Sequence, residues 1–124
     1  MPVLGMGGYF FRSHDPAALK AWYRDNLGVG GGMGTDEKGQ SNEWVWFTQG
    51  GPMVFEPFKQ ESDYFPAEKQ AMINLRVSDL DGLLASLREG GVEIGREETM
   101  DGVGRFARIH DPEGNAVELW EPTA

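Results

Sequence analysis

The chain has no cysteine, few basic residues and no long hydrophobic run, and each deficit removes a class of function. Without cysteine there is no disulfide, thiolate nucleophile or zinc-thiolate site, so any metal would have to be held by His, Asp or Glu, and the composition fits a reducing compartment. Eleven Lys and Arg against 20 Asp and Glu leave a net charge of −9. Such a surface repels polyanions and anionic lipid headgroups over a Debye length, which argues against nucleic acid and membrane partners. No apolar stretch approaches the ~20 residues of a membrane span, and Met1 to Gly8 carries neither the basic nor the apolar region of a secretory leader. The expectation is a cytoplasmic protein.

What is present is enough chain, 124 residues, for one hydrophobic core. The glycines cluster where the apolar pattern breaks, at Gly28, Gly30 to Gly32 and Gly34, at Gly50-Gly51, at Gly90-Gly91, and at Gly102 and Gly104, so they read as punctuation between elements.

Between those breaks the chain says nearly the same thing twice. Tyr9, Phe11 and Ser13 alternate against Gly8, Phe10 and Arg12, the period of a strand with two different faces. Asp15 can cap a helix that opens with Pro16, carries Leu19, Trp22, Tyr23 and Leu27 at helical spacing, and ends at Gly28. An offset of 64 residues lays Tyr9 on Ile73, Phe11 on Leu75, Asp15 on Asp79, Leu19 on Leu83 and Tyr23 on Leu87. Ile73, Leu75 and Val77 then form the second strand pattern, Ser78 or Asp79 caps a helix bearing Leu80, Leu83, Leu84 and Leu87, and Gly90-Gly91 stops it. Internal duplication is the simplest account.

Strand candidates follow each helix: Gly30 to Gly34, Glu43 to Thr48 and Met53 to Phe58 in the first half, and Val92 to Ile94, Arg105 to His110 and Ala116 to Glu121 in the second, the last two joined by the turn at 111–115. The expected fold is α+β, two paired βαβββ modules over 5–58 and 70–122 within one domain, 1–124, whose curved mixed sheets surround a cavity. Helices can cover only one face of each sheet. The other face carries Gly8, Phe10 and Arg12 on the first strand, Met72, Asn74 and Arg76 on the fifth, Phe106, Arg108 and His110 on the seventh, and Ala116, Glu118 and Trp120 on the last. Whether the modules pair within one chain or across two stays open at this level.

Phe11 to Pro16 followed by Trp22-Tyr23-Arg24-Asp25-Asn26-Leu27-Gly28, and the closing run Gly104 to Leu119 with Asp111-Pro112-Glu113-Gly114-Asn115-Ala116-Val117-Glu118-Leu119, resemble the signatures of the vicinal oxygen chelate superfamily, which holds glyoxalases, bleomycin resistance proteins and extradiol dioxygenases. The resemblance covers nearly the whole chain. It implies the fold rather than a reaction, because this scaffold hosts lyases, dioxygenases, epimerases and metal-free antibiotic-sequestering proteins. Metal-dependent members take a His, Gln or Glu from the first strand of each half, with carboxylates from the last strands. Gly8 and Met72 occupy those first-strand positions here, and neither can ligate a hard cation. Glu118 matches the final carboxylate. In the first half either Phe55 or Glu56 corresponds to it, since a one-residue slip reverses the face.

Candidate roles follow from residue type. Glu118 is a metal ligand or general base, or else a structural ion-pair partner of Arg12, Arg76 or Arg108. His110 is a replacement ligand or acid/base, or else a hairpin residue capping the Asp111 turn; Glu56 is the remaining candidate ligand, and His14 reads as a surface corner. Arg12, Arg76 and Arg108 suit a carboxylate or phosphate of a ligand, with Asn74 beside them. Phe10, Trp44, Trp46, Phe55, Phe106 and Trp120 supply aromatic area to hold a planar group, or else ordinary core. The crossover 57–70 carries Phe58, Tyr64 and Phe65, able to lie across a cavity mouth or against a second copy. Two functions are therefore expected: a metal-free module binding a small anionic or aromatic molecule, or a lactoylglutathione-lyase-like or dioxygenase enzyme using a weakly held divalent ion with Glu118. A homodimer is expected in either case.

Overall fold

The computed structural model describes residues 6–124, so Met1 to Gly5, including the expected module boundary at residue 5, lie outside the described residues. Among the described residues six elements form, in the order α1 (Pro16–Leu27), β1 (Ile73–Arg76), α2 (Leu80–Glu89), β2 (Glu97–Met100), β3 (Gly104–His110) and β4 (Ala116–Pro122). The strands make one mixed sheet in the order β1-β4-β3-β2, with β1 parallel to β4 and the other pairs antiparallel. This is the βαβββ pattern of the second half.

Both helices begin and end as local chemistry dictates. The Asp15 carboxylate accepts from the Ala18 amide, Pro16 fills the first turn, and Gly28 closes α1 at φ 68°, a left-handed conformation that a side chain would strain. Asp79 rather than Ser78 caps α2, accepting from Gly82 N. One face of the sheet presents Ile73, Val117 and Ile109 in one register row and Leu75, Leu119 and Ala107 in the next. Leu80, Leu84 and Leu87 of α2 pack on it together with Leu19 and Tyr23 of α1, and all of these but the half-buried Ile73 and Leu75 are buried. Each such aliphatic side chain contributes on the order of 1.5–3 kcal/mol through removal from water.

Helix α1 therefore belongs to the core of the second half, and two polar contacts fasten it there. The Tyr23 hydroxyl donates to Oδ2 of the buried Asp111 at 2.8 Å, and Asp111 also accepts from the amides of Glu113 and Asn115 and from Asn115 Nδ2. Burial, and then the Asp111 bond, push the Tyr23 phenol well above its ordinary pKa. Tyr23→Phe should cost about 1.5 kcal/mol, since three donors still serve Asp111; unchanged thermal unfolding would show the bond to be idle. At the other contact, Glu113 accepts from Ser13 Oγ at 2.7 Å and from the amides of His14 and Asp15, and these bonds hold its carboxyl below the usual range. A depressed folded-state pKa gives stabilisation that is present above the unfolded value of about 4.3 and lost as pH falls through the folded value. Glu113→Gln should accordingly flatten the acid limb of the stability-versus-pH curve, and an unchanged limb would show that the contact contributes nothing.

The first half departs from expectation. Its helix forms, but among the described residues 7–13 and 50–60 contain no strand, and the segment between α1 and residue 50 holds a single bridge, Asn42 with Val45. Irregular bonds such as Gly32 N to Asn42 O and Phe47 N to Met33 O fold that segment on itself. A strand needs a laterally placed partner, and none of the described residues lies alongside: Phe10 is 93% exposed, Phe55 81% and Trp44 80%. Val92 to Ile94 is also not a strand; pairing starts at Gly95, whose amide bonds Arg108 O, and continues through Arg96 into β2. No helix among the described residues is long and apolar enough to cross a membrane.

Candidate functional site

Because side chains alternate along a strand, the face opposite the helices is assembled by register. Asn74 on β1, Glu118 on β4 and Arg108 on β3 stand side by side in one row, which Arg96 extends because its carbonyl accepts from Arg108 N. Arg76, Trp120, Phe106 and Glu98 form the next row. Phe106 and Trp120 lie flat on each other, 6.0 Å between centroids with an interplanar angle of 4°, and Trp120 Nε1 is tied to Val103 O.

The chemistry of the first row is lopsided. Glu118, buried, accepts from Asn74 Nδ2 at 2.8 Å and from the Tyr64 hydroxyl at 2.5 Å. Both donors are neutral. Arg108, its immediate neighbour and only 9% exposed, forms no ion pair among the described residues, and its Nε and Nη2 are buried without a hydrogen-bond partner. Its guanidinium carbon lies 4.9 Å from the centroid of the Tyr64 ring, and that of Arg96 lies 5.3 Å from it. A π face offsets part of the cost of a buried cation but accepts no conventional hydrogen bond along the guanidinium plane. Neutralisation of Glu118 by arginine, one of the readings its type allowed, is thus not how this carboxylate is satisfied.

The remaining candidates fall in different places. Phe106 and Trp120 adjoin the row. Arg76 shares their face but donates from Nη2 to Gln49 O and crowds against Gly51, where a Cβ would meet Nη1; it anchors the first-half segment. Arg12 is exposed and lines a small cavity with Ser13, His14 and Glu113, on the side of α1's N-terminus. Phe10 projects into solvent. His110 is exposed at the end of β3, opposite Ala116 and two residues along from the Arg108–Glu118 pair, and borders a cavity of about 520 Å³ with Trp22, Val92 and Pro112. Glu56 is exposed on 50–60. Two contributors lie outside the site that the sequence indicates: Arg96, because the apolar pattern places its strand at 92–94, and Tyr64, whose aromatic crossover is legible but whose bond to Glu118 spans 54 residues.

A divalent ion fits these residues poorly. Among the described residues no three His, Asp or Glu side chains converge, so Glu118, Glu56 and His110 do not share a site. The donors meeting at Glu118 are an amide and a phenol, neither a usual ligand set for a catalytic cation. What the row can do is recognise: an acceptor flanked by a cation with two free donors, beside a flat aromatic floor. Neither the cavity beside Arg12 nor the one beside His110 is lined by Asn74, Glu118 or Arg108.

The profile of the Glyoxalase/Bleomycin resistance protein/Dioxygenase superfamily matches residues 6–119. No curated protein matches the chain. Among solved structures it is similar to TnmS3, an antibiotic binding protein from Streptomyces sp. CB03234, at 22% identity over 99% of each chain with a TM-score of 0.61. A glyoxylase/bleomycin resistance protein/dioxygenase domain from Frankia sp. EAN1pec aligns at 16% identity over 98% of this chain and 99% of that one, TM-score 0.59. A lactoylglutathione lyase from Agrobacterium tumefaciens aligns at 19% over 98% and 96%, TM-score 0.57. At these identities the likeness establishes a shared fold, and a fold found in both a binding protein and a lyase leaves function to be argued from the site.

Proposed function

The chain belongs to the Glyoxalase/Bleomycin resistance protein/Dioxygenase superfamily, and from that premise we propose that it is a metal-independent binding protein holding a small anionic aromatic molecule over the row Asn74, Glu118, Arg108. The observation that carries this reading is the Arg108 guanidinium, nine-tenths buried with Nε and Nη2 unpartnered. Buried polar atoms are almost always paired, and leaving a charged one unpaired costs more than a neutral one. An anionic oxygen is the partner that removes that cost, through a charge-assisted and geometrically specific bond. Phe106 and Trp120, stacked in the adjoining row, offer a flat apolar contact for a ring. The structural neighbour described as an antibiotic binding protein supports a binding role on this scaffold. The lyase alternative needs a cation that the residues at Glu118 do not suit.

The assembly we propose is a homodimer in which the first half of a second copy covers the open row. Support comes from the exposed Phe10, Trp44, Met53, Val54 and Phe55, a set of apolar side chains from the very segments that lack strand partners. Calorimetric titration with 2-naphthoate and with its neutral counterpart 2-naphthylmethanol tests the ligand reading. The carboxylate should bind at least tenfold more tightly. Equal affinities would point to an apolar pocket and defeat the reading.

A further inference from the structure

Tyr64 lies on the recognition row, and what it does there describes a ligand. It belongs to the crossover between the halves, where 58–72 contains no helix or strand and is shaped by turns such as Ser62 N to Lys59 O and Lys69 N to Pro66 O. Its ring packs with Phe58 at 5.6 Å, while Phe58, itself 47% exposed, meets Phe65 at 5.7 Å. The Tyr64 hydroxyl donates to Glu118 Oε2, and its π face is turned to the guanidinium groups of Arg108 and Arg96. Tyr64 thus meets two demands of the site, a hydroxyl donor for Glu118 and a ring for the cations. The third it leaves unmet: its ring covers Arg108, yet it brings no acceptor to Nε and Nη2.

We propose that the row is a site for hydroxy-aromatic acids, that Tyr64 stands in for such a ligand in the free chain, and that binding displaces the strap 58–65. A hydroxy-aromatic acid carries the same donor and the same π face as Tyr64, and adds the anionic oxygen that Arg108 lacks. It therefore competes for the same atoms with one more charge-assisted bond. Burial, and then the bond to Glu118, hold the Tyr64 phenol above its ordinary pKa, so near neutrality it is a donor, as the ligand's hydroxyl would be. The inference rests on the anionic-ligand reading above and adds the hydroxyl, the ring position and the displacement.

The probes are 6-hydroxy-2-naphthoate, 6-methoxy-2-naphthoate, which keeps the carboxylate and removes the donor, and 2-naphthoate. The hydroxy acid should bind about tenfold or more tightly than the methoxy acid, the ratio expected for a hydrogen bond to a charged acceptor. Tyr64→Ala removes the internal competitor and should tighten the hydroxy acid several-fold. Tyr64→Phe, which keeps the ring and loses only the bond to Glu118, should tighten it less and serves if the alanine variant does not fold. Hydrogen exchange in the peptide covering 58–65 should accelerate on saturation with the hydroxy acid, whereas a ligand merely sheltered by the strap would slow it. Equal binding of the hydroxy and methoxy acids, with 2-naphthoate still preferred over its neutral counterpart, overturns this inference and leaves the anionic-ligand reading standing. Weaker binding in both Tyr64 variants, or slower exchange on saturation, makes Tyr64 a wall of the site and also overturns it. Failure of every carboxylate to bind removes both.

Discussion

Replacing Arg108 by leucine is expected to raise the melting temperature while weakening binding of an aromatic carboxylate by ten- to a hundredfold. The two effects have one cause. In the free chain the guanidinium is buried beside Glu118 without an acceptor for Nε or Nη2, and an unsatisfied buried polar group costs about 1–3 kcal/mol, more when charged. Against this stands its contact with the Tyr64 ring, a cation–π interaction of about 0.5–2 kcal/mol. The net should be a gain of roughly 1 kcal/mol for the apolar side chain, or about 4 °C for a domain of this size. Glu118 gives no reason to expect otherwise, since Asn74 and Tyr64 already serve it. With ligand the balance reverses, because the bonds that Arg108 would make to an anion contribute about 1.5–3 kcal/mol and leucine can make none. A residue whose removal stabilises the protein and disables binding is one retained for function. Scanning calorimetry and titration of the same samples decide the matter: a fall of several degrees with unchanged binding would make Arg108 structural and would falsify the proposed role.

The second large effect concerns assembly. At micromolar concentration the chain should sediment as a dimer, and the triple substitution Phe10→Ser, Trp44→Ser, Phe55→Ser should sediment as a monomer that retains its helices. These three are the most exposed aromatic side chains on the strand-poor first half, at 93%, 80% and 81%. None belongs to the core formed by α1, α2 and the sheet, so the substitutions should spare the fold of the second half. If they form the centre of an interface, truncating each should cost about 2 kcal/mol, and three together on the order of 6 kcal/mol, a weakening of roughly ten-thousandfold. Sedimentation velocity across a hundredfold dilution reads this directly. A wild-type chain that remains monomeric at every concentration would remove the proposed covering of the open row by a second copy, and the titrations above would then be describing a site open to solvent.

Much of the fold was legible in the sequence where its cause is local. Asp15, Pro16 and Gly28 delimit α1 by satisfying or freeing backbone groups a few residues away, and Asp79 does the same for α2. The β3–β4 hairpin could be read from the Asp111 to Asn115 turn and from the alternation on either side. Strand parity, a strictly two-residue property, put Asn74, Arg108 and Glu118 on one face and Leu75, Val117 and Leu119 on the other, as the register has them. Strand β2 was not legible: Glu97, Glu98, Thr99 and Met100 show no apolar alternation because this sheet-edge strand buries almost nothing, and the ladder with β3 is what makes it a strand.

Other features were decided only by tertiary structure. The internal duplication suggests that each helix lies on its own module's sheet, yet α1 packs with α2 on the second, because Leu19 and Tyr23 join the buried cluster of Ile109 and Val117 and Tyr23 bonds the buried Asp111, while the first half offers no ladder among the described residues. The sequence by itself determined the polar groups available on the open face, since side-chain type and strand parity are local. Which of them would meet was settled by the fold. Glu118 takes its donors from residues 44 and 54 positions away, and that pairing leaves the adjacent Arg108 with a π face in place of an acceptor. An arginine beside a glutamate reads as an ion pair in one dimension. In three, each oxygen of the carboxylate already has a neutral donor, and the cation's unmet demand becomes the most informative feature of the site.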